Sequence, residues 1–524
     1  MLSVQFCGAA RTVTGSQYYL EYVGPDGSKF NFCIDSGMFQ VGGKVNLFKV
    51  NSHLVFDPKK LDVIVLTHAH LDHCGRIPYL VKSGFGGRIF STEATRQIAE
   101  VVMTDAAKLS TDENGNSYYF PVKNMTEAEM KPKSEKFNLS EIADQVSNEK
   151  FFPKPNADPN LNGAEIKDVK KTENLGLYGL EEVEQTMTRF KTYGYHQKFL
   201  IHPNLQVEFW DAGHILGSAY LNIAELSTGR NVVFSGDLGN IGKPIIEDPE
   251  MPKPLPKLTH IFTETTYGDK FHGDLDPKAR LREIAFKTLN RKGKLLIPAF
   301  SIERCQEVIY YLTELMRENL LPSVPIYLDS PMGSKVLKIC LEHPELYDDA
   351  MKQKIANAQN PLVFKQLKIL DTADDSKSLN HVKEPCIIIA GSGMLNGGRI
   401  LKHLTFHIED EKNTILMVGY QAEGTLGRKL QEGEKKITIE EKELEVKAEI
   451  AIITEFSAHA DQKVLKDWLS HWILGSDKSV VPMLFLMHGE KDSALGYGRE
   501  VEATFPNQIT TYWPYFAEKK VLWE

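Results

Sequence analysis

The run Thr67-His68-Ala69-His70-Leu71-Asp72-His73-Cys74-Gly75 concentrates three imidazoles and one carboxylate within six positions, 68 to 73. An apolar segment, DVIVL, precedes it, so His68 and His70 fall at a strand end, where a two-residue spacing in extended backbone aims both rings the same way. Asp72 and His73 then sit where the chain turns and can be presented to a neighbouring point. Core packing rarely needs four such groups together; metal ligation does. Nitrogen and oxygen donors without thiolate suit Zn²⁺, with Mn²⁺ and Fe²⁺ as open alternatives.

One ion cannot use every ligand the chain offers. His214 in DAGHILGSA, Asp237 in VVFSGDLGN and His488 in LFLMHGE each follow an apolar run and lie beside glycine. Together they complete two sites: His68, His70 and His214 for one metal, and Asp72, His73 and His488 for the other. Asp237, with two carboxylate oxygens, bridges them. A pair of ions roughly 3.5–4 Å apart activates a shared hydroxide and clamps the oxygens of an in-line displacement, which is ester or phosphoester hydrolysis.

The elements that must position these groups are short strands ended by Gly, Asp or His, such as SQYYLEYVG, KFNFCIDSG, LQVEFWDAGH and LTHIFTETTYG. From residue 277 the pattern changes. Helical stretches such as PKARLREIAFKTLNRKG and IERCQEVIYYLTELMREN alternate with buried-strand runs KLLIPAF, VPIYLDSP, EPCIIIAGSG and NTILMVGYQ, which predicts βαβ units on a parallel sheet. Beyond 446, EIAIITEFSAHADQ and VPMLFLMHGE again read as strands with histidine loops. The expected organisation is a first domain over 1–268, a second inserted over 269–446, and a completing segment over 447–524. Residues 111–176 carry nine lysines, no arginine and twelve acidic residues without periodicity, and read as a polar surface insertion.

Composition sets the remaining bounds. The 524 residues are 42% hydrophobic and 25% charged, enough for large cores and unlike a disordered chain. No segment approaches the ~20 uncharged apolar residues of a membrane helix, and the N-terminus does not read as a secretory signal. A net charge of −9 argues against coating nucleic acid through bulk charge but leaves room for a local cleft. The six cysteines have no CxxC spacing and read as reduced thiols, so a cytoplasmic protein is expected. His53, His196, His202, His260, His343, His381, His403, His407 and His471 lack ligand-like neighbours and read as structural.

HxHxDH with later His and Asp ligands resembles the metallo-β-lactamase superfamily, and Asp35 in CIDSG matches its first aspartate. Glu264 in TETTYGD, His459 in EFSAHADQ and His488 in MHGE resemble motifs A, B and C of the β-CASP nucleases. GAARTVTGS, IPAFSIERCQE, YLDSPMG, GSGMLNGGR and GYQAEGTLGRKL fit the same family. The resemblance implies an α/β architecture: an αββα metallo-β-lactamase sandwich with an inserted Rossmann-like β-CASP domain and the substrate strand between them. It implies a metal-dependent endoribonuclease acting on single-stranded RNA, since histidine at motif C marks RNA-acting members. The chain looks closer to the shorter bacterial members and to the eukaryotic pre-mRNA cleavage endonuclease than to RNase J-type exonucleases.

The expected roles follow residue by residue. His459 is the general acid for the departing 3′-oxygen, because imidazole titrates near neutrality. Glu264 orients that ring and keeps it protonated. Asp35 steers the metal site from behind its ligands, and Asp72 belongs to both the ligand set and the catalytic set. Tyr267 and His272 are weaker candidates for site support. Ser330, Ser392 and Gly393 end strands before helices and could bind phosphate through exposed N–H groups. Arg304, Arg399 and Arg428 are expected to grip phosphates. No membrane partner is expected, and a homodimer is compatible with the sequence. The competing readings are a small-molecule ester or thioester hydrolase, which leaves His459 and Glu264 idle, and a non-catalytic RNA scaffold, which predicts broken ligands.

Overall fold

A computed structural model describes residues 1–40, 47–109, 176–273, 276–419, 421, 424–474 and 480–524. The polar insertion expected over 111–176 therefore lies outside the described residues, apart from Gly176.

The first half of the chain is built mainly of strands: β1 (Leu2–Phe6), β2 (Tyr18–Val23), β3 (Lys29–Ile34), β4 (Val63–Val65), β5 (Arg88–Ser91) and β6 (Phe190–Thr192). They are followed by β7 (Phe199–His202), β8 (Leu205–Asp211), β9 (Ala219–Glu225), β10 (Asn231–Phe234) and β11 (Leu258–Glu264). The middle of the chain contributes β12 (Leu295–Pro298), β13 (Ile326–Asp329), β14 (Leu367–Ile369), β15 (Ile387–Ala390), β16 (Thr414–Met417), the hairpin β17 (Lys436–Ile439) and β18 (Lys442–Glu445), and β19 (Glu449–Ile452). The chain then returns with β20 (Met483–Met487), β21 (Thr510–Tyr512) and β22 (Lys519–Trp523).

Two seven-stranded sheets result, ordered β22-β1-β2-β3-β4-β5-β6 and β21-β20-β11-β10-β9-β8-β7, so the last three strands complete the sheets that the first eleven begin. Their facing sides interlock through aromatic rings. Tyr18 of β2 packs edge-on against Phe262 of β11 at 5.5 Å, and Phe6 of β1 lies 5.2 Å from Phe485 of β20 and 6.0 Å from Phe262. The helices Gln462–Leu474 and Lys491–Thr504 cover one outer face with Trp468 and Trp472. The helix Glu93–Leu109 covers the other, with Ile98, Val102 and Met103 buried. This is the αββα sandwich the motifs imply.

The cap is a six-stranded sheet, β14-β13-β15-β12-β16-β19, parallel throughout. Its central strands LLIP, IYLD, IIIA and TILM are buried end to end, as a parallel sheet covered on both faces demands. Helix Pro277–Asn290 starts at Asp276, whose side chain accepts from Lys278 N, with proline at the first helical position.

One boundary differs from the sequence expectation. The pattern places residues 449–452 in the completing segment after 446, yet β19 pairs in parallel with β16, from Thr414↔Glu449 to Met417↔Ile452. Four residues of apolar-rich strand read the same in either sheet; only the pairing partner separates them.

Replacing Phe262 with alanine should cost about 3–5 kcal/mol, because its ring is shared by both sheets and leaves a cavity between them. Urea denaturation followed by tryptophan fluorescence measures this, and a loss below 1 kcal/mol would contradict the inter-sheet packing.

Candidate metal centre

Four loops at strand ends deliver the ligands. β4 leads into Thr67 and His68; a single helical turn, Leu71–Cys74, then presents Asp72 and His73, with His70 as its N-terminal flank. His214 follows β8, Asp237 follows β10, and His488 follows β20. The two-residue spacing of His68 and His70 does bring the rings together: His68 Nε2 lies 3.1 Å from His70 Nδ1, and His214 Nε2 lies 3.1 Å from that same His70 nitrogen. His488 Nε2 is 3.3 Å from Asp72 Oδ2 and 3.4 Å from His73 Nε2.

Asp237 stands between the two sets. Its Oδ2 is 3.5 Å from His68 Nε2 and 3.6 Å from His214 Nε2, while its Oδ1 is 3.3 Å from His73 Nε2 and 3.4 Å from His488 Nδ1. Ligand atoms of His68, His70, His214 and Asp237 all fall within 4.8 Å of one another, as do those of Asp72, His73 and His488. Asp237 Oδ1 is buried and accepts no hydrogen bond. A buried carboxylate oxygen without a donor, ringed by imidazole nitrogens, is a place for a cation. The donor set of nitrogens and carboxylates therefore fits a divalent metal pair.

The electrostatics differ between the two ligand sets. Burial holds His68, His70 and His214 below the usual imidazole range, well below it for the first and last, so their nitrogens stay unprotonated as ligation requires. Burial also opposes charge on His73, but Asp237 and Asp35 on its two nitrogens outweigh it and raise its pKa well above the ordinary value. Asp237 itself is kept well below the carboxylate range: burial works against its charge, and His488, His73 and His68 overcome it.

Behind the ligands, Asp35 accepts from Thr67 N at 2.8 Å and from Thr67 Oγ1 at 2.8 Å, and lies 2.7 Å from His73 Nδ1. That fixes the ring so that Nε2 faces the site. Asp35 does this from a left-handed backbone, φ 58°.

On the exposed side, His459 Nδ1 lies 3.0 Å from Glu264 Oε2, and Glu264 Oε1 accepts from Leu238 N at 2.6 Å. The His459 ring is 4.7 Å from that of His214 and 22% exposed in its side chain, whereas the Glu264 side chain is fully buried. Burial disfavours the imidazolium, but Glu264 more than offsets it and takes His459 up to about 9. His272 Nε2 sits 3.0 Å from the His459 carbonyl and its ring 4.8 Å from Tyr267, so both lie against the His459 loop.

The cap residues divide. Ser330 caps the helix Pro331–Glu342 through Gly333 N and lies 3.0 Å from Ser301 Oγ. Ser392 accepts from Asn396 N, and the Gly393 carbonyl accepts from Gln421 Nε2. These three sit at the ends of β13 and β15, as the sequence suggests. Two of the three arginines depart from the expectation. Arg304 is only 5% exposed and bound to Glu303 and Glu307. Arg399 is spent on Asp329 at 2.6 Å and on the carbonyls of Leu370 and Asp371. Arg428 pairs with Glu432 at 2.7 Å, one helical turn on. Arg304 and Arg399 are thereby committed to bracing the cap, whereas Arg428 and Glu432 form an exposed pair on one helix face. Thr67, Thr266 (Oγ1 3.2 Å from His488 Nδ1) and Ser235 (accepting from Glu264 N) were missed; adjacency to ligands was their only signal. Lys243, which joins the sandwich to Glu303 of the cap, had none.

This fold and site define a metallo-β-lactamase-type, metal-dependent hydrolase. Residues 13–111 match the metallo-beta-lactamase superfamily, 305–430 the Beta-Casp domain, and 443–513 the Zn-dependent metallo-hydrolase RNA specificity domain. The chain is 33% identical over 493 residues to Ribonuclease TTHA0252 of Thermus thermophilus, covering 94% of each chain. It is 29% identical over 525 residues to Transcription termination factor FttA of Methanocaldococcus jannaschii, covering 98% of this chain and 70% of that one. It is 27% identical over 466 residues to an RNase J-like protein of the same organism, covering 87% and 88%. The chain belongs to the β-CASP family of metallo-β-lactamase-fold nucleases.

Asp35→Asn should weaken divalent-metal affinity about 10–100-fold while the fold persists, because His73 loses its orienting acceptor. Metal retention after dialysis against graded chelator checks this; unchanged retention would contradict the role given to Asp35.

Proposed function

We propose that this metal-dependent RNA nuclease cuts single-stranded RNA internally, with His459 as general acid. The supporting observation is the Glu264–His459 pair beside two convergent ligand sets. A carboxylate on Nδ1 leaves Nε2 as the donor, and a ring held protonated can deliver a proton to a departing 3′-oxygen. His68, His70, His214 and Asp237 would hold one Zn²⁺, and Asp72, His73, His488 and Asp237 a second. The pair supplies charge neutralisation on the phosphoryl group and activation of water. Asp35 fixes His73, Glu264 fixes His459, and the neutral His68 and His214 keep their lone pairs for ligation. Ser330, Ser392 and Gly393, at the ends of adjacent cap strands, are proposed to meet phosphates of the entering strand.

The endonucleolytic assignment rests on the resemblance to the shorter members of the family. All six cysteines are buried free thiols, in keeping with a reducing, cytoplasmic setting.

His459→Ala should lower cleavage of single-stranded RNA by about 10²–10⁴-fold with metal content unchanged. A covalently closed RNA circle separates the modes: linearisation by the wild type supports internal cutting, and resistance of the circle alongside degradation of the linear form contradicts it. Glu264→Gln removes the interaction that raises the His459 pKa. The acid form, present below that pKa and lost above it, should then disappear at lower pH, moving the alkaline limb of kcat downward; an unmoved limb would contradict the pairing.

A further inference from the structure

The loop after β1 meets the turn between β21 and β22. His488 N donates to the Ala9 carbonyl at 2.8 Å, so the loop that carries Arg11, two residues on from Ala9, is bonded to the backbone of a candidate metal ligand. Its guanidinium carbon lies 3.3 Å from the Tyr515 ring centroid and 4.1 Å from that of Trp513. Nε donates to the Pro514 carbonyl and Nη2 to that of Trp513, each at 3.3 Å. Three of its five N–H donors remain. Among the described residues no carboxylate pairs with Arg11 within 4.0 Å, unlike Arg304, Arg399 and Arg428.

Tyr515 is 51% exposed. Besides the Arg11 stack, its loop has anchors that do not involve the ring: Tyr515 N donates to Glu518 Oε2 at 2.9 Å, Ala517 N to the Phe6 carbonyl at 2.7 Å, and Phe516 packs on the buried Phe39. Ala9 (φ 49°), Arg11 (φ 61°) and His488 (φ 46°) all adopt left-handed backbone, so the non-glycine strain of this pole gathers at one loop contact. A guanidinium with no carboxylate within 4.0 Å among the described residues, stacked on a half-exposed tyrosine and carried by a loop that is bonded to the His488 backbone, has the chemistry of a stacked nucleotide: a base on the ring and a phosphate on the guanidinium.

We propose that Tyr515 and Arg11 form a base-stacking and phosphate-binding subsite for the single-stranded RNA on the His488 side of the metal centre. The proposal rests on the ribonuclease reading above. It gives the strand a second grip outside the cleft between sandwich and cap.

The test uses the full-length, metal-loaded protein and a labelled single-stranded oligoribonucleotide, with an abasic residue moved along its length. In the wild type one position should carry a KM penalty of about 5–100-fold when the base is missing. Tyr515→Ala should raise KM for the intact strand by the same factor, erase the position dependence and leave kcat, metal content and thermal midpoint unchanged; Tyr515→Phe should behave as the wild type. Arg11→Gln should reduce the slope of log Kd against log salt by about 0.7. If wild-type protein cuts RNA but KM for Tyr515→Ala stays within twofold, or Tyr515→Ala only lowers the thermal midpoint, the subsite is refuted and the ribonuclease reading stands. If wild-type protein hydrolyses bis(4-nitrophenyl) phosphate but neither binds nor cuts RNA, the ribonuclease reading itself falls and takes the subsite with it.

Discussion

Asp237 is the group on which the centre turns. A carboxylate buried to 2% exposure, with each oxygen facing a different pair of imidazoles, is costly unless positive charge sits on both sides of it. Its position is set by β10, whose parallel pairing to β11 and antiparallel pairing to β9 place the SGD turn at the same sheet edge as His214 and Glu264. The parallel pairing of β20 with β11, Glu264 opposite Met487, then brings His488 to that edge from the far end of the chain. The insertion of a whole cap between β11 and β20 is tolerated because those two strands still pair directly.

The same logic explains the order of importance among polar residues. Groups that touch the metal site are themselves held by buried acceptors or donors: Asp35 by Thr67, Glu264 by Leu238 N and Ser235, His459 by Glu264. Each link restrains a group of the site, so ligands drawn from four loops take on the rigidity of the sheets beneath them. In the cap, the buried pairs Arg304–Glu307 and Asp329–His403 perform the equivalent task for loops at the ends of parallel strands.

Much of this was legible in the sequence, and for identifiable reasons. Imidazoles two apart at a strand end, and histidine or aspartate between an apolar run and glycine, are local signals, and His68, His70, His73, His214, Asp237 and His488 all carry them. The structural reading of His403 holds for the same reason, since nothing near it in sequence resembles a ligand and it packs against Asp329 at 2.6 Å. What sequence cannot encode locally is the partner. Arg399 looks like a phosphate grip until Asp329, seventy residues away in sequence, is in view, and Glu449–Ile452 looks like a returning strand until it is seen beside Thr414–Met417. Lys243 bridging to Glu303 is of the same kind: a contact between lobes, invisible to spacing.

Counting bound divalent metal per chain in three proteins addresses the centre most directly: wild type, His488→Ala and Asp237→Ala, each reconstituted and freed of loose ions. With Asp237 shared by both sets, the counts should be two, one, and close to none. A single ion in the wild type, or two retained without Asp237, would contradict a dinuclear centre built on that carboxylate.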